Sequence, residues 1–196
     1  MHTEAFAAIA AKLKMGGRGR LDGFRPSEFS GITEQERTEL ATVFVQDNDF
    51  QALSTLLSES EFAEILRNST EILERNSDGY VSALIWAGKI GVIDDAPERL
   101  VTCICNTSSW AAGSALSFLG SVEIPTNVIA NYVDALASVL NRKDATPVLR
   151  LKASAELLRL KGVKPKSAKY VELSDRLQAK DRRVRDDALA ELVAQV

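Results

Sequence analysis

The sequence predicts an all-α fold. Apolar residues recur every three or four positions along nearly the whole chain, runs alternating apolar and polar at strand length are absent, and two short patterns return at the spacing of a helical hairpin. SALIWAG, Ser82 to Gly88, is matched 32 residues later by SALSFLG, Ser114 to Gly120. LRLKASAEL, Leu149 to Leu157, is matched 35 residues later by VRDDALAEL, Val184 to Leu192. A core pattern that persists while its offset drifts indicates helix pairs joined by loops of changing length. Each pair has one face too apolar to expose, so stacking is the physical solution.

The elements follow in order from start, stop and period signals. A first helix is expected from Thr3 to Lys14, followed by a glycine-rich loop over 16–31 that contains Pro26. Thr33 with Glu36 makes a capping box that opens a helix through Leu40, Val43 and Phe44. Asp47 or Asn48 is expected to cap the next, which carries Phe50, Leu53, Leu56 and Leu57. Ser58 with Glu61 opens SESEFAEILRNSTEILERN, in which Phe62, Leu66 and Leu73 line one side while Glu64 and Glu71 lie opposite. Further helices are expected in YVSALIWAGKIG, in APERLVTCIC after Asp95, in SSWAAGSALSFLG and in TNVIANYVDALASVLNR after Pro125. TPVLRLKASAELLRLKG, SAKYVELSDRLQAK and the closing VRDDALAEL complete the series.

At 196 residues the chain is long enough to bury roughly 70% of the surface its unfolded form exposes, without staples. The longest apolar run, VSALIWAGKIGVI, is interrupted by Lys89 and is shorter than the ~20 residues of a membrane span. No basic segment leads into an apolar run at the N-terminus, where Glu4 comes early, so a cytoplasmic protein is expected. Cys103 and Cys105, two positions apart, point about 200° apart on a helix and are read as small buried hydrophobes rather than metal ligands. The single histidine is His2, which takes the commonest general base out of consideration. No cofactor and no metal is expected.

DATPVLRLKASAELLRLKG, Asp144 to Gly162, resembles the second half of a HEAT repeat, with Asp144, Pro147, Leu149, Arg150, Ala153 and Leu157 at the matching places. The final unit keeps Asp181, Val184, Arg185, Ala188 and Leu192, with a turn two residues shorter; the earlier units keep small residues at Ser82, Ala83, Ser114 and Ala115 but lack the arginine. The unit length is shorter than the ~40 to 47 residues of HEAT and armadillo units, and the tetratricopeptide and ankyrin signatures are absent. The resemblance implies a HEAT-like, right-handed α-solenoid of antiparallel helix pairs over 58–196, continuous with an irregular N-terminal helical cap over 1–57. It also implies that Arg150 with Asp144, and Arg185 with Asp181, join neighbouring repeats as bidentate pairs. Position agrees: at 100° per residue Arg185 falls on the sector of Ala188, Leu189 and Leu192, where its stem can be buried.

Other candidates read as structure. Trp86, Trp110 and Phe118 are expected in the core, among dense apolar neighbours. GGRGR, Gly16 to Arg20, follows a helix rather than a strand and meets no phosphate-loop spacing, so it is read as a basic loop. Asp47 to Asp49, without the glycine and distal glutamate of a calcium loop, is read as a turn and cap, as are Asp94 and Asp95.

Charge is unevenly spread. Thr33 to Arg75 holds ten acids and three arginines, whereas Arg142 to Arg185 holds fourteen bases and five acids. Such a dipolar chain steers a charged partner to one end. The expectation is a non-enzymatic protein-binding solenoid that holds or inhibits one partner protein, such as a toxin or effector, as bacterial immunity proteins and small adaptors do. Lys152, Arg159, Arg182 and Arg183 on the basic side, with Glu64 and Glu71 on the acidic side, are the candidate contact residues. The alternative is nucleic-acid binding through Lys152, Arg159, Lys161, Lys164, Lys166, Arg182 and Arg183. A HEAT-like DNA glycosylase is a third reading, for which no residue clearly supplies the carboxylate beside aromatics that it needs.

Overall fold

The computed structural model describes residues 2–15 and 23–193, so the GGRGR stretch lies outside the described residues. Among these the secondary structure is helix and turn without strand, in accord with the periodicity. The chain divides into two units, Met1–Glu71 and Ile72–Val196.

The first unit contains α1 (Glu4–Met15), a 3-10 turn (Pro26–Phe29), α2 (Glu34–Gln46), α3 (Phe50–Leu56) and α4 (Glu59–Ile72). At the start of α2 the Thr33 hydroxyl accepts the Glu36 N–H, and the Glu36 carboxylate accepts the Thr33 N–H at 2.8 Å, which is the expected capping box. Glu36 also accepts the Thr3 N–H at 2.6 Å and the Thr3 hydroxyl at 3.0 Å, so one carboxylate ties the beginnings of α1 and α2. Burial works against its charge, but the donors of Thr33 and Thr3 outweigh it and hold the carboxyl at about 2.

The cap of α3 differs from the expected Asp47 or Asn48. Asn48 takes φ 55, a left-handed conformation that asparagine tolerates, and this reversal leaves Asp49 to accept the Ala52 N–H at 3.0 Å. Leu40, Phe44, Phe50 and Leu53 form the core of this unit. The Phe24 ring sits 5.3 Å from Phe44 and 5.6 Å from Phe29. In α4 Phe62 and Leu66 are buried while Glu64 and Glu71 are exposed, as the stripe predicts. That helix, grouped with the repeats by its sequence, belongs to the first unit.

The second unit contains α5 (Asp78–Lys89), α6 (Ala96–Cys103), α7 (Ser109–Leu119), α8 (Ile129–Asn141), α9 (Pro147–Leu160), α10 (Ala168–Gln178) and α11 (Arg182–Val193). Ser77, Ser108, Thr146 and Ser167 each accept a backbone N–H in the first turn of α5, α7, α9 and α10. Asp95 precedes α6 as expected, but its carboxylate accepts from Arg99 Nε at 2.9 Å instead of capping the helix.

Packing arranges these helices in two layers over one apolar core that runs from Tyr80 to Leu192. α5, α7, α9 and α10 follow one another in one layer, and α6, α8 and α11 form the other. Helices therefore alternate between layers as far as α9. Then the order reverses, because α10 packs on α9 and α11 packs on α8. Close approach of α5 and α7 explains the glycine that ends SALIWAG: a Cβ at Gly88 would lie 2.7 Å from Phe118 Cζ. Phe118 and Cys103 are buried as expected, and burial pushes the Cys103 thiol up to about 11.

Candidate functional site

The repeated arginines do not bind the aspartates upstream of them. Asp144 is taken by Arg142, two residues before it, whose Nε and Nη2 reach its two carboxylate oxygens at 3.0 and 2.5 Å. Arg142 holds the Asp144 carboxyl below its ordinary range. Arg150 donates instead to the Arg142 carbonyl at 3.2 Å, and its Nε is buried without a hydrogen-bond partner. Asp181 accepts the backbone N–H of Arg183 at 2.9 Å. Arg185 donates to the carbonyls of Ala179 and Lys180 at 2.7 and 2.9 Å, which end α10, and to Asn141 Oδ1 at 3.1 Å.

Both arginines thus reach the C-terminal end of α8, Arg150 at the Arg142 carbonyl and Arg185 at the Asn141 side chain, and Arg185 also takes the carbonyls that end α10, where the negative end of a helix dipole favours a guanidinium. Asn141 completes the clasp by donating to Asp186 at 2.9 Å, and Arg142 donates to the Ile104 carbonyl at 3.3 Å. These arginines join helices, through partners other than those predicted.

The surface feature of the second unit is a groove along the seam of α7 and α9. On α9, Val148, Lys152, Ala155 and Arg159 share one face, since steps of four, seven and eleven residues return to within about 40°. On α7, the opposing face carries Trp110 and then only Gly113, Ser114, Ser117 and Gly120. Small side chains make that wall low, and a trough remains. Its wider end, about 610 Å³, has an apolar floor of Leu116, Ala155, Val163, Pro165 and Tyr170. Its other end, about 320 Å³, lies between Trp110 and Val148. Lys152 spans the middle, donating to the Gly113 carbonyl at 2.9 Å and to Ser117 Oγ at 2.6 Å.

Glu156 lines the wide end. Where the ring of Phe118 fills the corner beside Gly88, the corner beside Gly120 is faced by Glu156, whose Oε2 would lie 3.3 Å from a Cβ there. Glu156 is buried and accepts from Arg159 Nε and Nη2 at 2.9 and 2.6 Å. It lies against the fully buried Tyr132, whose hydroxyl has no well-formed hydrogen bond; burial and the Glu156 charge hold that phenol above its ordinary range.

Among the six candidate contact residues, only Lys152 and Arg159 line this groove. Arg182 and Arg183 are exposed at the start of α11, in the other layer, and Arg182 pairs with Asp186 at 3.3 Å. Glu64 and Glu71 are exposed on α4 of the first unit. Trp110 corrects the expectation that it packs in the core. It is 66% exposed, whereas Trp86 is half-buried with the Lys89 ammonium 4.8 Å from its ring.

The reason is periodicity. Ala111, Ala112, Ala115, Leu116 and Leu119 make the buried side of α7, and Trp110 shares its face with Ser114 and Ser117. That serine-lined face was readable from the sequence; the pairing of α7 with α9 was not.

No protein-family model matches the chain, and neither a curated protein nor a solved structure shows significant similarity to it. No helix among the described residues is long and apolar enough to cross a membrane. The fold and the groove define the class: an all-α protein of helices packed against their neighbours, with an apolar trough on one face of its second unit.

Proposed function

We propose that this chain is a non-catalytic, HEAT-like helical-repeat protein that binds one partner protein through the α7–α9 face, in the manner of an adaptor or inhibitor. Trp110 carries this reading. It is 66% exposed, and Val148 and Leu151 on the neighbouring helix are 62% and 50% exposed. Single exposed apolar residues are ordinary, but Trp110 and Val148 line the same end of the trough, and large apolar side chains exposed together are the kind of patch that marks an interface. Tryptophan is also the side chain most enriched among those that dominate binding energy. The side-by-side succession of α5, α7 and α9 supports the repeat reading, in which such a face serves as the contact surface.

Capture of the native chain with its partner, followed by mass spectrometry, tests it. A protein recovered in stoichiometric amount by the parent and lost by Trp110→Ala at unchanged melting temperature is the expected result. Equal recovery by both, or recovery of nucleic acid alone, overturns the reading.

A second reading has its own observation. Lys161, Lys164 and Lys166 cluster in the turn between α9 and α10, where none makes an ion pair among the described residues. Duplex DNA binding through these three requires an affinity that falls with salt at a logarithmic slope of roughly −3. A flat salt dependence excludes it.

A further inference from the structure

Resting on the partner-binding reading, the geometry points to the chemistry of the occupant: we propose that the α7–α9 groove takes an acidic amphipathic helix of the partner. Its apolar side lies on the groove floor and on Trp110, and its carboxylates meet Arg159 and Lys164.

Charge is the first argument. Lys152, Arg159 and Lys164 line the wide end, against a single acid, Glu156. Glu156 offers no repulsion to an incoming carboxylate, because it is buried and both its oxygens are occupied by Arg159. Arg159 spends only Nε and Nη2 on that pair, and a guanidinium has five N–H groups. Its side chain is 50% exposed, which leaves N–H groups free to donate to a second carboxylate. Lys164 makes no ion pair among the described residues, and the surrounding stretch from Arg142 to Arg185 carries fourteen bases to five acids. A basic or neutral occupant leaves these cations unmatched.

Backbone chemistry is the second. Both walls are α-helices whose N–H and C=O groups are already paired within each helix, so the groove offers no edge for an added strand. A helix satisfies its own backbone and so lies on the apolar floor without needing hydrogen bonds from either wall. α9 is 14 residues long, about 21 Å, which matches roughly four turns of a partner helix. Lys152, bound to the Gly113 carbonyl and to Ser117 Oγ, crosses the low wall, so the partner helix lies over its stem, between Trp110 at one end and Tyr170 at the other.

The probe is a fluorescent peptide of about four turns, with leucine on one helical stripe and glutamate elsewhere, compared with its lysine-for-glutamate counterpart. Anisotropy against the full chain is expected to show binding of the glutamate peptide, weakening as salt rises, and no binding of the lysine peptide. Lys164→Glu changes an exposed side chain with no hydrogen bond or ion pair among the described residues, and the carbonyl there keeps its bonds from Ser167. It is expected to weaken the glutamate peptide by about tenfold and Trp110→Ala by at least as much.

Equal binding of both peptides, or indifference to Lys164→Glu, overturns the proposal. So does salt-sensitive self-association of the chain that Lys164→Glu abolishes, since the groove then holds a second copy. Duplex DNA binding lost in Lys164→Glu, with no peptide binding, assigns the cations to phosphate. If the captured partner is lost by Trp110→Ala but kept by Lys164→Glu, partner binding at this face stands and the acidic helix falls.

Discussion

Arg150 in α9 and Arg185 in α11 occupy matching places in a repeated pattern, yet Arg150 makes one hydrogen bond and leaves its Nε buried and unpaired, while Arg185 makes three and is 5% exposed. The difference comes from the layer. α9 stands beside α7, with its arginine reaching back to the Arg142 carbonyl just before the helix; α11 stands on α8, where the end of α10 and Asn141 surround the guanidinium. A shared pattern specifies which face of a helix is buried. What that face meets depends on the neighbour.

The largest expected effect follows from removing the better-held arginine. Arg185→Ala is expected to cost about 3 kcal/mol, because three charge-assisted bonds go and two helix-end carbonyls lose their donor. Urea melts measure it, and a loss below about 1 kcal/mol breaks the contrast between the two sites.

Asn141→Ala, which removes the amide that clasps Arg185 and Asp186, is expected to cost about 1.5 kcal/mol. Combined with Arg185→Ala the losses are expected to fall short of additivity by about 1 kcal/mol, since the two share a bond. Full additivity places their coupling elsewhere.

Arg150→Met keeps the buried stem, removes the unpaired Nε, and is expected to change stability by no more than about 0.5 kcal/mol. A cost equal to that of Arg185 means the sites are equivalent after all.

The smallest effect distinguishes the aspartates. Asp144 is held below its ordinary 3.8 by Arg142, so the unfolded chain takes up the proton first and the pair's contribution, present above that pH, is lost as pH falls below it. Asp144→Asn is therefore expected to flatten slightly the fall of the urea midpoint below about pH 4. Asp181→Asn, which keeps an Oδ1 to accept the Arg183 backbone N–H and breaks no ion pair found among the described residues, serves as the comparison. Glu36, lowered to about 2, contributes acid sensitivity of the same sign in parent and variants alike, and cancels from the difference.

The same division between pattern and neighbour decides how much of the molecule was legible in advance. The helices, the Thr33–Glu36 box and the buried stripe of α4 could be read, because each depends on residues within a turn or two of one another. The reach of Glu36 to Thr3 could not, since 33 residues separate them. At the candidate site the sequence supplied Lys152 and Arg159 by charge and held in plain view the serine face that exposes Trp110. It also offered Arg182 and Arg183, equally basic, which the reversal of layers carries away from the groove.

The sequence alone therefore determined an all-α chain, its principal helices and the apolar side of each, since periodicity and capping are short-range. Only the tertiary structure decided that α11 packs on α8, that Arg185 meets Asn141 across 44 residues of chain, and that small residues on α7 face Glu156 on α9 beside a trough, while Phe118 packs against Gly88. Those outcomes rest on which helix lies beside which, and that choice is made by the packing of the whole core.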